Sequence, residues 1–532
     1  MAFFKNTEFQ PGPYTTAPAA VMRRVLADVG LSSVDTSRVQ FVGGRSEGLI
    51  DTNLAIAPVA AGLYGALGVV LDQVGQARGL PQQTITVEID HAAMAMSKMH
   101  WLLCNGKPVE LPEGPAARGG GYPGVGNFRC KDGRWINIST AFPGLRNTVL
   151  KVLNSPNDRN AIQTAILKHW DSFALEDTLA ELGACGAVMR TPEEWAAHPH
   201  GRSLLQQPLV QITKVRDSAP RPLTPWPIAP RLLSGVRQLD LTHVLAGPTG
   251  TQIAAEAGAD VLRIVGHQRW INPIGDIDMG IGKRSCQLSL DDAEQREQFF
   301  RLIDEADVFV QGFNPTSIYR LLADTTETTE NSHSLGEERL LDRRPGIILV
   351  NESYAGPYGP WGTRAGFEQL AQAATGMMYL QKRYGEASPQ EGGEPIMTPV
   401  YFNDYGTGIL SAIGVCVALL RRATEGGSYI VRSQLIRTAS LIVEQGTIPM
   451  DQPPHSFSRG EVLLRSGSIE TPHGMVWALR PVVQLDQTPL SQGRSSPTAG
   501  EHRATWLPTI DTMMNAAVMG TGNTYGGGKS WL

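Results

Sequence analysis

The feature that most constrains the fold is an alternation of short apolar, β-branched runs with helical stretches from residue 235 onward. The strand candidates are residues 236–241, 260–265, 285–290, 306–311 and 346–352, and the helix candidates between them are 249–257, 292–305 and 316–322. This pattern is typical of a parallel sheet covered by helices. We therefore predict an α/β fold with a Rossmann-like large domain that has helices on both faces of a parallel sheet.

The chain before residue 217 has a different pattern, which predicts a smaller α+β domain. Residues 55–71 and 92–103 are apolar enough for buried helices, and residues 128–138 resemble a β-hairpin with its turn at Lys131-Asp132-Gly133. Residues 217–230 contain five prolines among few apolar side chains, which favours a linker. A chain of 532 residues has room for roughly two to four structural units.

A short internal repeat relates the two parts. Residues 62–69 (GLYGALGV) match residues 408–415 (GILSAIGV) at an offset of 346 positions, which indicates a partial duplication. In the first copy, Pro58 takes the position that Asp404 has in the second. The predicted organisation is a helical lead-in (1–50), a degenerate first copy with a linking helix and small domain (51–216), a Pro-rich linker (217–232), a large α/β domain (233–447) and a C-terminal segment with a flexible tail (448–532).

Composition excludes several classes of protein. The 46 basic and 51 acidic residues nearly cancel, so nothing indicates a nucleic acid or an anionic membrane as partner. The five cysteines are scattered without a close pair, which argues against a disulfide framework and a metal site and favours the cytoplasm. Residues 54–71 are uncharged over nearly the length of a membrane span, but Pro58 and three glycines interrupt them, so we predict a buried helix.

The first turn between strand and helix, residues 239–248, reads LDLTHVLAGP. It lacks the G-x-G-x-x-G pattern that lets a backbone approach a dinucleotide pyrophosphate, so a nicotinamide or flavin site is rejected. The loop still follows the carboxyl end of a strand, where open α/β sheets bind ligands. A plain packed turn is the alternative.

Several ordered motifs of the second half resemble those of the type III CoA transferases, the CaiB/BaiF family that includes formyl-CoA and carnitine CoA-transferases. They are LDLTHVLAGP at 239–248, GADVLRI at 258–264, GKRS at 282–285, ADVFVQGF at 306–313 and GFEQLAQA at 366–373. The first half is similar to the later part of the same family's chain, with residues 191–199 a recognisable piece. The order is unusual, because small-domain-like sequence precedes the large domain.

The resemblance implies that Asp404 is the acyl carrier, because residues 404–408 match the family pattern D-x-x-[ST]-G. A carboxylate at the start of an uncharged helix would be kept ionised by unpaired backbone N–H groups. The alternative is an ordinary helix-capping aspartate, since aspartate is a preferred N-cap.

For CoA itself we expect contacts from the loop after the first strand, from a basic pair that suits phosphates and from an aromatic stretch near the adenine. These candidates are His243, Val244, Ala246, Lys283, Arg284, Gln311 and Phe313. The alternative for the loop residues is a plain packed turn. For the basic pair it is solvated surface, and for the aromatic stretch it is core packing. Gln311 and Gly312 replace the family's Glu-Asn, which leaves the nucleotide contacts open.

The predicted function is therefore transfer of CoA from an acyl-CoA to a free carboxylic acid through an aspartyl anhydride and an aspartyl-CoA thioester. No permanent cofactor and no metal are expected, and the resemblance implies a homodimer. A 2-methylacyl-CoA racemase is one alternative, but its G-H-D motif is here Gly366-Phe367-Glu368, which lacks the histidine base. A non-catalytic CoA-binding or scaffold homologue is another.

Overall fold

The computed structural model describes residues 17–44, 48–109, 122–266, 273–313, 322 and 332–508. Most of the predicted helix 316–322 lies outside these residues, as does the tail after residue 508.

The described elements follow in chain order. The helices are α1 (Pro18–Asp28), α2 (Ile56–Ala77), α3 (Ile89–Ala95), α4 (Pro143–Leu153), α5 (Arg159–His169), α6 (Ser172–Glu181), α7 (Pro192–Ala197), α8 (Pro199–Leu205), α9 (Ala246–Glu256), α10 (Pro273–Gly280), α11 (Ala293–Ile303), α12 (Ser332–Arg343), α13 (Glu368–Thr375), α14 (Met377–Leu380), α15 (Phe402–Glu425), α16 (Leu435–Val443) and α17 (Arg459–Arg465), with 3₁₀ turns at Lys98–Trp101 and Pro389–Glu391. The strands are β1 (Val39–Val42), β2 (Ile85–Glu88), β3 (Leu103–Cys104), β4 (Lys107–Pro108), β5 (Gly126–Arg129), β6 (Trp135–Ser139), β7 (Cys185–Val188), β8 (Val210–Arg216), β9 (Arg237–Leu241), β10 (Asp260–Val265), β11 (Arg284–Gln287), β12 (Val308–Gln311), β13 (Ile348–Ser353), β14 (Ser428–Gln434), β15 (Ser466–Thr471), β16 (Gly474–Leu479) and β17 (Val483–Leu485).

The largest sheet has seven strands in the order β11-β10-β9-β12-β13-β14-β8. The first six are parallel and β8 is antiparallel to β14. Strand order reverses between β9 and β12, as in a doubly wound sheet, and the carboxyl ends of these two strands therefore face a crevice. The predicted α/β fold with its parallel sheet is confirmed, and the strand boundaries differ by up to three residues.

Two predictions for the first half have different outcomes. The hairpin is confirmed, because β5 and β6 pair antiparallel and the Cys130 N–H donates to the Arg134 carbonyl at 2.8 Å. The single helix at 92–103 is wrong: α3 ends at Ala95, a 3₁₀ turn follows, and the chain continues as β3. The Trp101 indole N–H donates to the Met94 carbonyl at 3.1 Å across this bend. The helix, the 3₁₀ turn and the strand are all largely buried, so their side chains form one apolar run. This run does not show where the helix ends.

The two halves exchange strands. From the first half, β8 completes the large sheet beside β14; from the second half, β17 completes a small sheet of β1, β2 and β17. A third sheet, β15-β16-β3-β4, takes a hairpin from each half, and β5-β6-β7 form a fourth. The Pro-rich segment between the halves is tied down, since Arg78 donates to the Thr224 carbonyl at 2.6 Å.

The internal repeat extends beyond the matching helices. At the same offset of 346 positions, α2, β2 and α3 correspond to α15, β14 and α16. A Cβ added to Gly68 would lie 2.5 Å from Ile85, and one added to Gly414 would lie 2.5 Å from Val431, which is the residue equivalent to Ile85. Each glycine thus lets its helix pack closely on the equivalent strand.

In the described part of the chain, α2 and α15 are long and apolar enough to cross a membrane by composition alone. They pack against each other, and 94% and 83% of their apolar windows are buried inside the protein. Burial of this kind is what the core helices of a globular protein show, as predicted for residues 54–71.

Candidate active site

Asp404 lies in the first turn of α15, as its third residue, and is 7% exposed. The residue at the N-cap position is Tyr401, and no side chain caps the helix. The Asp404 carboxylate is therefore not used as a helix cap. It is available for another purpose at a helix N-terminus, where unpaired N–H groups favour negative charge.

A second carboxylate, Glu368, is hydrogen-bonded to this turn; it begins α13 and is 2% exposed. Glu368 Oε2 accepts the Asp404 backbone N–H at 2.8 Å, and its Oε1 accepts the side-chain amides of Asn403 and Gln372, each at 2.8 Å. Three donors thus fix Glu368 beside the helix start. Two buried carboxyl groups meet where the family motif places the acyl carrier.

Burial dominates the titration of this pair. It raises the pKa of Asp404 to about 7. Burial, and then the charge of Asp404, raises the pKa of Glu368 well above its usual value. A third acid, Glu352 at the end of β13, has its pKa raised to about 8 by burial, with Asp240 and Asp404 adding to the shift. A carboxyl that titrates near neutral pH can be ionised for attack while remaining in a dry site.

A close crossing of α9 and α15 brings the loop after β9 to this helix turn. A Cβ on Gly408, one turn after Asp404, would lie 2.4 Å from the Ala246 carbonyl oxygen and 2.7 Å from Thr249 Cβ. A Cβ on Gly250 would lie 2.9 Å from the Gly408 carbonyl oxygen. Only glycine at these positions allows the two helix N-termini to stand side by side, which gives the glycine of the D-x-x-[ST]-G pattern a physical role.

The loop itself carries backbone strain. Val244 has a φ of 66°, in the left-handed region that a β-branched residue rarely adopts. Such strain costs on the order of 1–3 kcal/mol and is concentrated at functional sites. The loop occupies the crevice between β9 and β12, where doubly wound sheets bind their ligands. His243, Val244 and Ala246 are thus brought together at the predicted place.

Aromatic side chains extend from this crevice toward the two carboxylates. His243 stacks on Phe313 with ring centroids 4.6 Å apart, and Phe142 meets His243 edge-on at 5.9 Å. Phe142 in turn stacks on Phe367 at 5.5 Å, and Phe367 directly precedes Glu368. We call Phe313, His243, Phe142 and Phe367 the aromatic row. Three of its members belong to the second half of the chain, and Phe142 comes from the first.

Lys283 lies inside the protein, with no exposed side-chain surface. Its Nζ donates to Asp240 Oδ2 at 3.0 Å, to the Pro248 carbonyl at 2.9 Å and to Thr251 Oγ1 at 2.6 Å. Asp240 also accepts the Thr242 backbone N–H and hydroxyl. Burial lowers the pKa of Lys283 to about 8. The GKRS and LDLT motifs therefore form one buried network that holds the ligand loop to the start of α9.

Arg284 and Gln311 are also engaged internally. Arg284 forms two hydrogen bonds to the Asp260 carboxylate at 2.9 and 2.8 Å and a third to the Thr505 carbonyl. Gln311 is buried, donates to Asn351 Oδ1 at 3.0 Å and accepts the Phe313 N–H at 2.9 Å, so it positions Phe313 rather than facing solvent. Lys283 and Arg284 border a cavity of about 280 Å³. The contact of Lys283 and Arg284 with CoA phosphates stays a prediction, and the hydrogen bonds that both side chains form inside the protein argue against it.

Sequence reasoning missed three contributors to this site. Glu368 stood in the quoted GFEQLAQA motif, but that stretch was considered only for the histidine that Phe367 replaces. Asp240 stood in LDLT, where a charged residue within an apolar strand signals a buried partner. Phe142 carried no local signal, because its contacts with His243 and Phe367 join distant parts of the chain.

The molecule is an α/β protein with a crevice at the switch point of a doubly wound sheet and a buried carboxylate beside it. This combination is typical of enzymes that bind their ligand at the sheet edge. The model of CoA-transferase family III matches residues 29–220 and 233–459. The chain therefore belongs to CoA-transferase family III.

Individual relatives match parts of the chain. Acetyl-coenzyme A transferase nodX of Hypoxylon pulicicidum is 32% identical over 320 residues, which cover 57% of this chain and 51% of that protein. Formyl-CoA:oxalate CoA-transferase of Streptomyces avermitilis is 29% identical over 213 residues, covering 37% and 46%. The crystal structure of Rv3272 from M. tuberculosis is 27% identical, with a TM-score of 0.34, and covers 40% of this chain and 56% of that one. The chain spans about half the length of the curated relatives it matches.

Proposed function

We propose that the protein transfers CoA from an acyl-CoA donor to a free carboxylic acid, with Asp404 as the acyl carrier. The observation that supports it most is the buried Asp404 carboxylate at the start of α15, next to Glu368 and reached by the strained loop after β9. Membership of CoA-transferase family III, and relatives named as CoA-transferases, support the same reaction.

The proposed chemistry uses the carboxylate as a nucleophile. An Asp404 oxygen attacks the donor thioester carbonyl, the C–S bond breaks, and CoA thiolate leaves an acyl-aspartyl anhydride. The thiolate attacks the aspartyl carbonyl, which releases the donor acid and leaves aspartyl-CoA. The acceptor carboxylate displaces CoA from this thioester, and the thiolate then takes the new acyl group and restores the Asp404 carboxylate.

Two other activities fit less well. A racemase needs an acid/base pair at the substrate α-carbon, and position 367 holds phenylalanine where the racemase motif has histidine. A purely structural homologue would have no use for two carboxyl groups whose burial is costly, a cost that their raised pKa values reflect. The homodimer stays a prediction of the family resemblance, and the cytoplasmic location stays a prediction from the scattered cysteines.

The test is CoA exchange with purified protein, a panel of acyl-CoA donors and free acids, and mass spectrometry of the thioesters formed. We expect new thioesters with the wild-type protein and none with Asp404→Ala. Incubation with donor alone should give a CoA adduct on the Asp404 peptide, since aspartyl-CoA is an intermediate of the proposed reaction.

Asp292→Asn is the matched control, because Asp292 also stands at a helix start, where it caps α11 by accepting the Gln295 N–H at 2.9 Å. It should exchange CoA as the wild type does. Equal activity of the Asp404→Ala protein would remove Asp404 from the mechanism. Folded protein that forms no thioester with any donor would contradict the proposed function.

A further inference from the structure

A short segment of the first half, residues 96–100, contacts both helices of the α9–α15 crossing. It follows α3 and leads into the first 3₁₀ turn. The backbone N–H of Tyr401, at the N-cap of α15, donates to the Met96 carbonyl at 2.9 Å. The His100 ring meets the Tyr401 ring edge-on, with centroids 5.5 Å apart. Since Tyr401 stands three residues before Asp404, this segment holds the start of the helix that carries the candidate nucleophile.

The same segment reaches α9 through a lysine. The Lys98 ammonium donates to Gln252 Oε1, and Gln252 Nε2 donates to the Asp278 backbone carbonyl of α10 at 2.5 Å. Gln252 is 1% exposed and lies two residues after Gly250, where α9 crosses α15. Because the oxygen of this amide faces an ammonium and its nitrogen faces a carbonyl, each contact requires the orientation that the other one fixes.

The charge of Lys98 also acts on two buried acids. Its Nζ lies 4.0 Å from Asp278 Oδ2, and the two side chains are 14% and 3% exposed. Burial raises the pKa of Asp278, and the charges of Lys98 and then Lys283 oppose that shift. Burial also raises the pKa of Glu256, one turn after Gln252 on α9, to about 7, and Lys98 is the largest opposing influence. These acids favour an ammonium that stays beside α9 and α10.

From these contacts we infer that Lys98 is a positioning residue for the transfer reaction and that it acts through Gln252 on the placement of α9 beside Asp404. The inference rests on the proposed function, because it concerns the alignment of the loop after β9 with the Asp404 carboxylate. Residues 96–100 contact both helices whose N-termini meet beside this carboxylate. A segment of the first half thus sets the geometry of a site whose nucleophile belongs to the second half.

The experiment measures kcat and KM of CoA exchange for the full-length wild type, Lys98→Met, Gln252→Leu and the double variant. The substrates are the donor and acceptor that give the highest wild-type rate in the panel described above. We expect each single substitution to lower kcat about tenfold, because a small displacement of α9 misaligns the reacting groups. The KM for the donor should change less than about threefold, since neither side chain is inferred to contact CoA. The double variant should be no slower than the slower single variant, because both residues act through one contact.

Arg465→Met is the matched control. Arg465 pairs with Glu88 across the two halves, as Lys98 does with Asp278, and its side chain is also 14% exposed. Its partner belongs to β2, however, and not to α9 or α10. The variant should lose stability in urea unfolding and keep the wild-type kcat per folded molecule.

Several results would overturn the inference and leave the proposed function standing. They are a wild-type kcat in either single variant, a raised KM for acyl-CoA in Lys98→Met alone, losses that multiply in the double variant, and an equal loss of kcat in Arg465→Met. Absence of transfer by the wild type from every donor would contradict both proposals. If Lys98→Met does not fold, Gln252→Leu compared with Arg465→Met decides, because Gln252→Leu removes the same contact without removing a charge.

Discussion

The crossing of α9 and α15 predicts that a single methyl group added at Gly408 lowers both the stability of the protein and its rate of CoA exchange. A Cβ at Gly408 would stand 2.4 Å from the Ala246 carbonyl, whereas ordinary contact begins at 3.4 Å, so the two helix N-termini must move apart by about 1 Å. We expect Gly408→Ala to destabilise the protein by about 1–3 kcal/mol, as overpacking does. Because a displacement of that size misaligns the loop after β9 with Asp404, kcat/KM for CoA exchange should fall about 100-fold.

The internal repeat supplies the matched control. Gly62 is the equivalent residue of the first copy, and a Cβ there would lie 2.6 Å from Val21 Cβ and 2.7 Å from the Pro18 carbonyl oxygen, on α1 rather than α9. Gly62→Ala should therefore cost similar stability and keep its activity per folded molecule. Urea unfolding measures the first quantity and initial rates on the folded protein measure the second. Equal activity of the two variants would refute the claim that the α9–α15 crossing positions the site.

Two further predictions concern buried charge. Burial raises the pKa of Asp404 to about 7 from an unfolded value near 4, so its contribution to stability is present below about pH 4 and falls by up to ~4 kcal/mol as pH rises through about 7. This change should be absent from Asp404→Asn, whereas the wild-type kcat/KM should rise over the same range because the nucleophile ionises. A pH-independent rate, or the same stability slope in Asp404→Asn, would contradict this prediction. Lys283→Met should lower the free energy of unfolding in urea by about 3–5 kcal/mol, because it leaves Asp240 charged and without its ion-pair partner. The double variant Asp240→Asn/Lys283→Met should recover part of that loss. A stable Lys283→Met protein with a raised KM for acyl-CoA would instead support the prediction that Lys283 binds the CoA phosphates.

The large sheet could be predicted because its strands are short apolar runs bounded by turn residues. Gly258 ends the preceding helix with a φ of 107°, and Asp260–Val265 follows as β10 within its predicted limits. Residues 92–103 could not be divided in the same way, because α3, the 3₁₀ turn and β3 are all largely buried or half-buried and share one apolar run. Periodicity identifies an element only where one face remains in water.

The residues of the candidate site also differ in how far the sequence alone could predict them. Asp404 and the loop with His243 and Val244 could be proposed for the site from the sequence, because the chain presents them in short motifs that a local turn or helix start explains. The partner of Asp404 could not, since Glu368 reaches it through a tertiary hydrogen bond to a backbone N–H. For Lys283 the sequence predicted a contact with CoA phosphates, with solvated surface as the alternative, because no local pattern shows that Asp240 lies opposite it inside the protein.

The two copies contribute differently to one candidate site, in which only the second copy has an aspartate at the helix start. In the first copy Pro58 stands at the position equivalent to Asp404, and among the described residues its small sheet of β1, β2 and β17 has no counterpart of β9. The same half provides β8 to the large sheet and Phe142 to the aromatic row. Pro58 in place of an aspartate fits a supporting role for the first half, in which two copies of one fold share the construction of a single candidate site.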